Sequence, residues 1–193
     1  MRPGTGVFTP SKMKILLKIK TLLALSAVLG LSACSTAPPQ GITAVTPFDV
    51  QRYEGQWFEV ARMDHSFERG LSDVSARYRV QADGSVQVIN RGFDAQKNDW
   101  KEAIGRALFT GNPNTGSLKV SFFGPFYGGY HVVALDPAYR WSMVVGPDRD
   151  YVWILARDKQ LAPATREQLL AQAKTLGIAV DKLIWVAQTR QDQ

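Results

Sequence analysis

Few side chains in this sequence are equipped for covalent chemistry. Cys34 is the only thiol, and His65 and His131 are the only imidazoles. A single cysteine excludes an internal disulfide framework, and with two histidines it falls short of a structural zinc site. The Gly-x-Ser-x-Gly elbow that presents a hydrolase serine is missing. The two histidines outline no nucleophile–base relay. The expectation is a protein with no catalytic residues, no metal and no cofactor. Aromatic residues are plentiful instead. Five Trp, six Tyr and nine Phe are a heavy load for 193 residues, enough for a large core or an apolar cavity.

Cys34 has a context of its own. Lys12, Lys14, Lys18 and Lys20 lead into an apolar run over residues 22–31. That run is about half the ~20 residues a membrane-spanning helix needs and fits the apolar region of a secretory leader. Leu31-Ser32-Ala33-Cys34 then resembles a bacterial lipobox. The resemblance implies cleavage after Ala33 and acylation of the Cys34 thiol, with more than one acyl chain for stable attachment. Ser35, where an aspartate would signal retention in the inner membrane, points to the outer membrane. Residues 1–33 therefore read as a lipoprotein signal peptide, with Met13 as the start of a compact leader and residues 1–12 outside it. Residues 34–46 read as the lipidated cysteine and a small, Pro-rich, flexible tether. Its extended reach is roughly 45 Å at ~3.3–3.6 Å per residue. Residues 47–193 form the domain.

The net charge of +6 belongs to the leader. Residues 1–33 hold five of the 23 basic residues and no acidic one, leaving 18 bases against 17 acids. A near-neutral body without a basic stripe excludes a phosphate-driven nucleic-acid partner.

The elements of the body are short β-type runs between turn residues. They fall at residues 57–63, 74–80, 86–93, 100–109, 118–122, 130–135, 141–145 and 151–156. Eight sequential strands with tight turns predict an all-β fold, an up-and-down antiparallel barrel or a sandwich. The barrel is favoured because Tyr151, Trp153 and Leu155 alternate with Val152, Ile154 and Ala156, so both faces of that strand are apolar. One face can line a lumen and the other can lie under a helix. That helix starts at Pro163, carries Leu169, Ala173 and Leu176 on one face and stops at Gly177. A last strand covers residues 183–187.

Gly55-Gln56-Trp57 at the start of the first strand resembles the lipocalin signature. So do the turn Leu135-Asp136-Pro137-Ala138-Tyr139, in which Tyr139 supplies the aromatic, and Arg157 at the end of the eighth strand. Phe67-Glu68-Arg69-Gly70-Leu71, residues 120–130 and residues 146–151 are similar to the bacterial lipocalins, outer-membrane lipoproteins of the Blc type. The resemblance spans residues 47–186. It implies an eight-stranded barrel with the helix packed outside, closed at one end by a helical turn at residues 48–53. Gly55, Trp57 and Arg157 then belong to the closed base, with the Arg157 guanidinium stacked on Trp57. It also implies a small hydrophobic ligand entering at the other end.

Strict alternation from these anchors fixes the inner face. It points Glu59, Ala61, Met63, Ala76, Tyr78, Val88, Asn90, Ala103, Gly105, Ala107, Val120, Phe122, Tyr130, Val132, Tyr151 and Trp153 inward. The cavity is assigned to Ala61, Met63, Ala76, Tyr78, Val88, Asn90, Ala103, Gly105, Phe122, Tyr130, Tyr151 and Trp153. Small inner residues leave a void suited to an apolar ligand. Asn90 and the tyrosines are candidates to orient its polar end. Arg69 and Arg149, on mouth loops, are candidates to meet an anionic head group. His65 is expected on an exposed loop and His131 facing outward. The functional expectation is a membrane-anchored binder of fatty acid or lysophospholipid on the periplasmic side of the outer membrane, for lipid storage, transport or scavenging. The alternatives are a structural lipoprotein with a filled barrel and, with least support, a lipid-acting enzyme. A homodimer is left open.

Overall fold

The computed structural model describes residues 35–190. Cys34 and the leader lie outside the described residues. A one-turn helix, α1 (Val50–Tyr53), leads into β1 (Gly55–Arg62). Asp49 caps it, its carboxylate accepting from the Gln51 and Arg52 amides. Seven further strands follow: β2 (Leu71–Val80), β3 (Val86–Asp94), β4 (Asp99–Phe109), β5 (Ser117–Phe123), β6 (Phe126–Leu135), β7 (Trp141–Val145) and β8 (Val152–Ala156). Then come α2 (Pro163–Thr175), a 3-10 turn (Val180–Lys182) and β9 (Ile184–Trp185). Each strand from β1 to β8 pairs antiparallel with the next, and β8 pairs with β1, so the sheet closes into a barrel. β9 takes over the edge of β1 at Ala61 and Arg62, beyond the point where β2 leaves it. The sequence places β6 four residues late, because the aromatic and glycine run at its start shows no alternation. Gly128 and Gly129 nevertheless pair with Val120 and Lys119.

The strands are two-sided, as the eighth predicts. An inner cluster holds Trp57, Ala76, Tyr78, Val86, Val88, Ala107, Leu118, Val132, Val144 and Leu155 with Phe48 and Tyr53 from the base. An outer cluster packs Met143, Val145, Val152, Ile154 and Ala156 against Leu169 and Ala173 of α2. Gly177, at φ +74°, ends that helix.

Among the described residues four register shifts interrupt the pairing, in β1, β2, β5 and β6, and those in β1 and β6 reassign faces. Between Glu59 and Ala61 the register of β1 against β8 shifts by one residue. Val60, Ala61 and Met63 consequently lie in the outer cluster. This corrects the expectation that Ala61 and Met63 face the lumen. Arg62, whose partner is Trp153, turns inward instead. The shift in β6, between Val132 and Ala134, sends Val133 and Ala134 both outward. An extra residue in a strand flips every side chain beyond it.

The expected flexible tether is also corrected. Ile42 and Ala44 are buried. The Val45 amide donates to Val132 O at 2.8 Å, and Val45 O accepts from Gly116. Further out, Gln40 O accepts from Arg149 at 2.7 Å, and Ser35 O accepts from the Gly129 amide at 3.2 Å. The segment is docked along the barrel wall, and its apolar residues explain why.

The closed end is fastened by one cation. Arg157 lies 4.0 Å over the Trp57 ring. It donates to Gln56 O at 2.7 Å, Arg52 O at 2.9 Å and Tyr139 O at 3.3 Å. Trp57 Nε1 donates to Tyr53 O, and the Tyr139 hydroxyl accepts from the Asp49 amide. Gly55 sits at φ +88°, and a Cβ there would meet Arg157 Nη1 at 3.4 Å. Asp136 holds its turn by accepting from Ala138, Arg140 and the Arg140 guanidinium. Arg157→Ala is expected to cost about 2–3 kcal/mol, since charge-assisted hydrogen bonds contribute about 1.5–3 kcal/mol. Trp57→Ala is expected to cost about 3–5 kcal/mol. Urea denaturation of each variant measures both.

Candidate ligand site in the barrel

The inner face divides into a packed floor and an open upper part. The floor is made by the base aromatics. The Tyr53 hydroxyl bonds to Tyr130 at 3.0 Å and to Ser142 at 2.9 Å, and Tyr130 bonds to Tyr78 at 2.8 Å. Burial pushes the Tyr53 phenol up to about 12 and raises Tyr78 and Tyr130 well above their ordinary value. All three stay neutral and remain both donors and acceptors. The void left beside them is about 20 Å³, lined by Phe48, Tyr53, Tyr78, Val88, Leu118 and Tyr130 among others, which is room for about one water.

Above the floor, one side of the barrel is filled with charge. Arg62 Nη1 donates to Glu59 Oε1 at 2.7 Å, and Nη2 donates to the carbonyls of Glu68 and Leu71. Trp153 Nε1 donates to Glu68 Oε1 at 2.9 Å. These groups tie β1 and β8 to the loop of residues 63–70, which folds across that side of the mouth. Burial, and the Glu68 carboxylate beside it, push Glu59 up to about 8. Burial raises Glu68 as well. Both carboxyls are therefore held towards their protonated forms, opposed by the Arg62 guanidinium beside them. Arg62 and Glu68 escape sequence reading. Three residues apart, Glu59 and Arg62 lie on opposite faces of a regular strand, and only the bulge brings them together.

The opposite side of the mouth is bare. Ala76, Asn90 and Ala103 are neighbours across β2, β3 and β4. Lys101, Glu102, Ala103 and Ile104 are all exposed, so neither face of β4 is covered there. β4 pairs with β5 only from Arg106 to Phe109, leaving residues 99–105 with β3 alone. A cleft of about 520 Å³ lies beside this parting on the outer face of the sheet, lined by Gln81, Asp83, Gln87, Ile104, Arg106 and Ser121 among others.

The remaining site residues are placed as follows. Ala76, Tyr78 and Val88 line the inner cluster, and Phe122, Tyr130 and Trp153 pack against it. Gly105 is not a void. A Cβ there would meet the Phe122 ring and Ser121 O at 2.8 Å, so the missing side chain makes room for Phe122. Tyr151 lies at the mouth, its ring 4.3 Å from His65, which also stacks on Phe67. His65 is thus buried, not exposed, and burial lowers its pKa. His131 faces outward but is fully buried, bonded to Ser117. Arg69 is paired with Asp64, and Arg149 donates to Leu176 O and Gln40 O.

The lipocalin-like domain family matches residues 48–188, the whole barrel described above. The chain is a lipocalin. It is 50% identical to the outer membrane lipoprotein Blc of Citrobacter freundii over 171 residues, covering 88% of this chain and 97% of that protein. Over 165 residues it is 49% identical to the outer membrane lipoprotein Blc of Escherichia coli K12, covering 86% and 93%. Among solved structures, insecticyanin from the tobacco hornworm Manduca sexta superposes with a TM-score of 0.65 at 19% identity, over 81% of this chain and 89% of that one. At that identity the likeness is one of fold.

The carboxyl pair gives a signed pH dependence. Glu59 binds its proton more tightly in the folded state, so the stability it contributes is full below about 4.5 and is lost as pH rises to about 8. Glu59→Gln is expected to flatten that part of the stability curve. Glu59→Ala, which leaves Arg62 Nη1 without its buried acceptor, is expected to cost about 1–3 kcal/mol. Urea unfolding between pH 5 and pH 9 checks both.

Proposed function

We propose that this lipocalin is anchored to the outer membrane through acylated Cys34, on the periplasmic side, and holds an acyl chain of a fatty acid or lysophospholipid in its open upper barrel. The observation that carries the reading is the inner wall left uncovered at half-buried Asn90 and exposed Ala103, set above a floor sealed by tyrosines. The Leu31-Ser32-Ala33-Cys34 motif and the similarity to outer membrane lipoproteins support the anchor. Burying about twelve methylenes at ~0.8 kcal/mol each supplies roughly 10 kcal/mol, against an association cost of ~4 kcal/mol or more. That balance is compatible with micromolar binding. With buried Glu59 and Glu68 already bonded to Arg62 and Trp153, burial of the acyl chain is the main source of affinity. The role is binding for storage, transport or scavenging.

A filled, purely structural barrel is the competing reading, and the packed floor favours it for the lower half only. Ala103→Trp separates the two. Isothermal titration with an eighteen-carbon fatty acid and with lysophosphatidylethanolamine is expected to show affinity falling about tenfold or more, equivalent to roughly 1.4 kcal/mol. The urea midpoint is expected to stay near its original value. Unchanged titrations, or no binding by the original protein, would sink the acyl-binding reading. Gly105→Trp is unsuitable, because it collides with Phe122 and Ser121.

A further inference from the structure

We infer that the open end of this barrel faces the bilayer, with Phe67, Phe123 and Phe126 seated in the lipid interface around its mouth. The inference rests on the proposed acylation of Cys34 and adds an orientation to it. Its occupant is a phospholipid surface.

The first support is the path of the N-terminal segment. It leaves the closed end, where Phe48 bonds to Asn114 and Val45 bonds to Gly116 and Val132. It passes Arg149, on the mouth loop between β7 and β8, which holds Gln40 O. It reaches Ser35 beside Gly129, three residues from Phe126 at the open-end start of β6. Buried Ile42 and Ala44 remove slack from the segment. Cys34 is the next residue, and consecutive Cα atoms are about 3.8 Å apart. An anchor there draws the open-end half of β6 towards the membrane.

The second support is the distribution of apolar surface. Phe123 is 81% exposed, Phe126 68% and Phe67 63%. Phe123 and Phe126 flank the β5–β6 turn, and Phe67 belongs to the β1–β2 loop. In an eight-stranded barrel ordered β1 to β8 those two connections lie on opposite sides of the mouth. The rings are therefore two feet on either side of the opening. Among the described residues, none of the large exposed apolar side chains belongs to a closed-end loop. Aromatic side chains on both sides of one end suit a membrane interface.

The third support is charge. Residues 123–127 carry none, and Arg69 is paired with Asp64. Seating is thus by ring insertion, with little dependence on anionic lipid. In this pose an acyl chain passes from the bilayer into the mouth without crossing water.

The test uses the full lipidated chain, purified from membranes and returned to vesicles of phosphatidylethanolamine and phosphatidylglycerol. Cys34, the only native cysteine, is blocked by its acyl group. Phe126→Cys and, at the exposed closed-end turn, Ala138→Cys each give one site for an environment-sensitive fluorophore. The expected result is a blue-shifted label at position 126, quenched several-fold more by nitroxide-bearing lipids than the label at 138, at any phosphatidylglycerol content. Quenching at 138 instead, or at neither position, overturns the orientation. A label at 126 that is shielded but unquenched, with cross-links between copies, also overturns it and assigns the surface to a second copy. Mass spectrometry of the Cys34 peptide and fatty-acid titration are run on the same samples. A Cys34 without acyl groups overturns the anchor and this inference together. Acylated, acyl-binding protein with an unquenched label overturns the orientation alone.

Discussion

The guanidinium of Arg157 joins four parts of the closed end at once. It covers the Trp57 ring and bonds to carbonyls at the start of β1, at the end of α1 and in the turn between β6 and β7. Because it ends the last barrel strand, it locks the closure of the sheet. It also fixes which face of β1 and β8 points inward, and pairing passes that choice to the neighbouring strands. The tyrosine floor follows from it, since Tyr53 is held through Trp57 Nε1.

That anchor explains both what alternation predicts well and where it stops. From Trp57 it places Ala76, Tyr78, Val88 and Leu155 on the inner side, and from Arg157 it sends Val152, Ile154 and Ala156 under α2. Beyond Glu59 it fails, because one extra residue in β1 carries no mark in the sequence. Ala61 and Met63 turn outward and Arg62 turns in. The small residues were ambiguous for a related reason. Ala103 is small beside open space, whereas Gly105 is small beneath the Phe122 ring, and only the structure separates the two. The N-terminal segment misled through its prolines. The apolar Ile42, Ala44 and Val45 at alternate or adjacent positions were the available sign that it docks.

The upper barrel is asymmetric. On the side of β1, β2 and β8, a hydrogen-bonded set of Glu59, Arg62, Glu68 and Trp153 holds a loop over the mouth. On the side of β3, β4 and β5, the strands part and the inner wall is bare. Burying the charges costs desolvation that a neutral core avoids, so the network adds position more than stability: it ties down one rim while the other is left free. The packed floor and this divided mouth together leave room for a ligand only in the upper half.

The central claim is that this open half holds an acyl lipid. Native mass spectrometry of the purified protein, followed by organic extraction, tests it most directly. The account predicts one acyl ligand per chain, exchanged when a competing fatty acid or lysophospholipid is added. A folded protein that is empty, and stays empty with every acyl lipid offered, would contradict it.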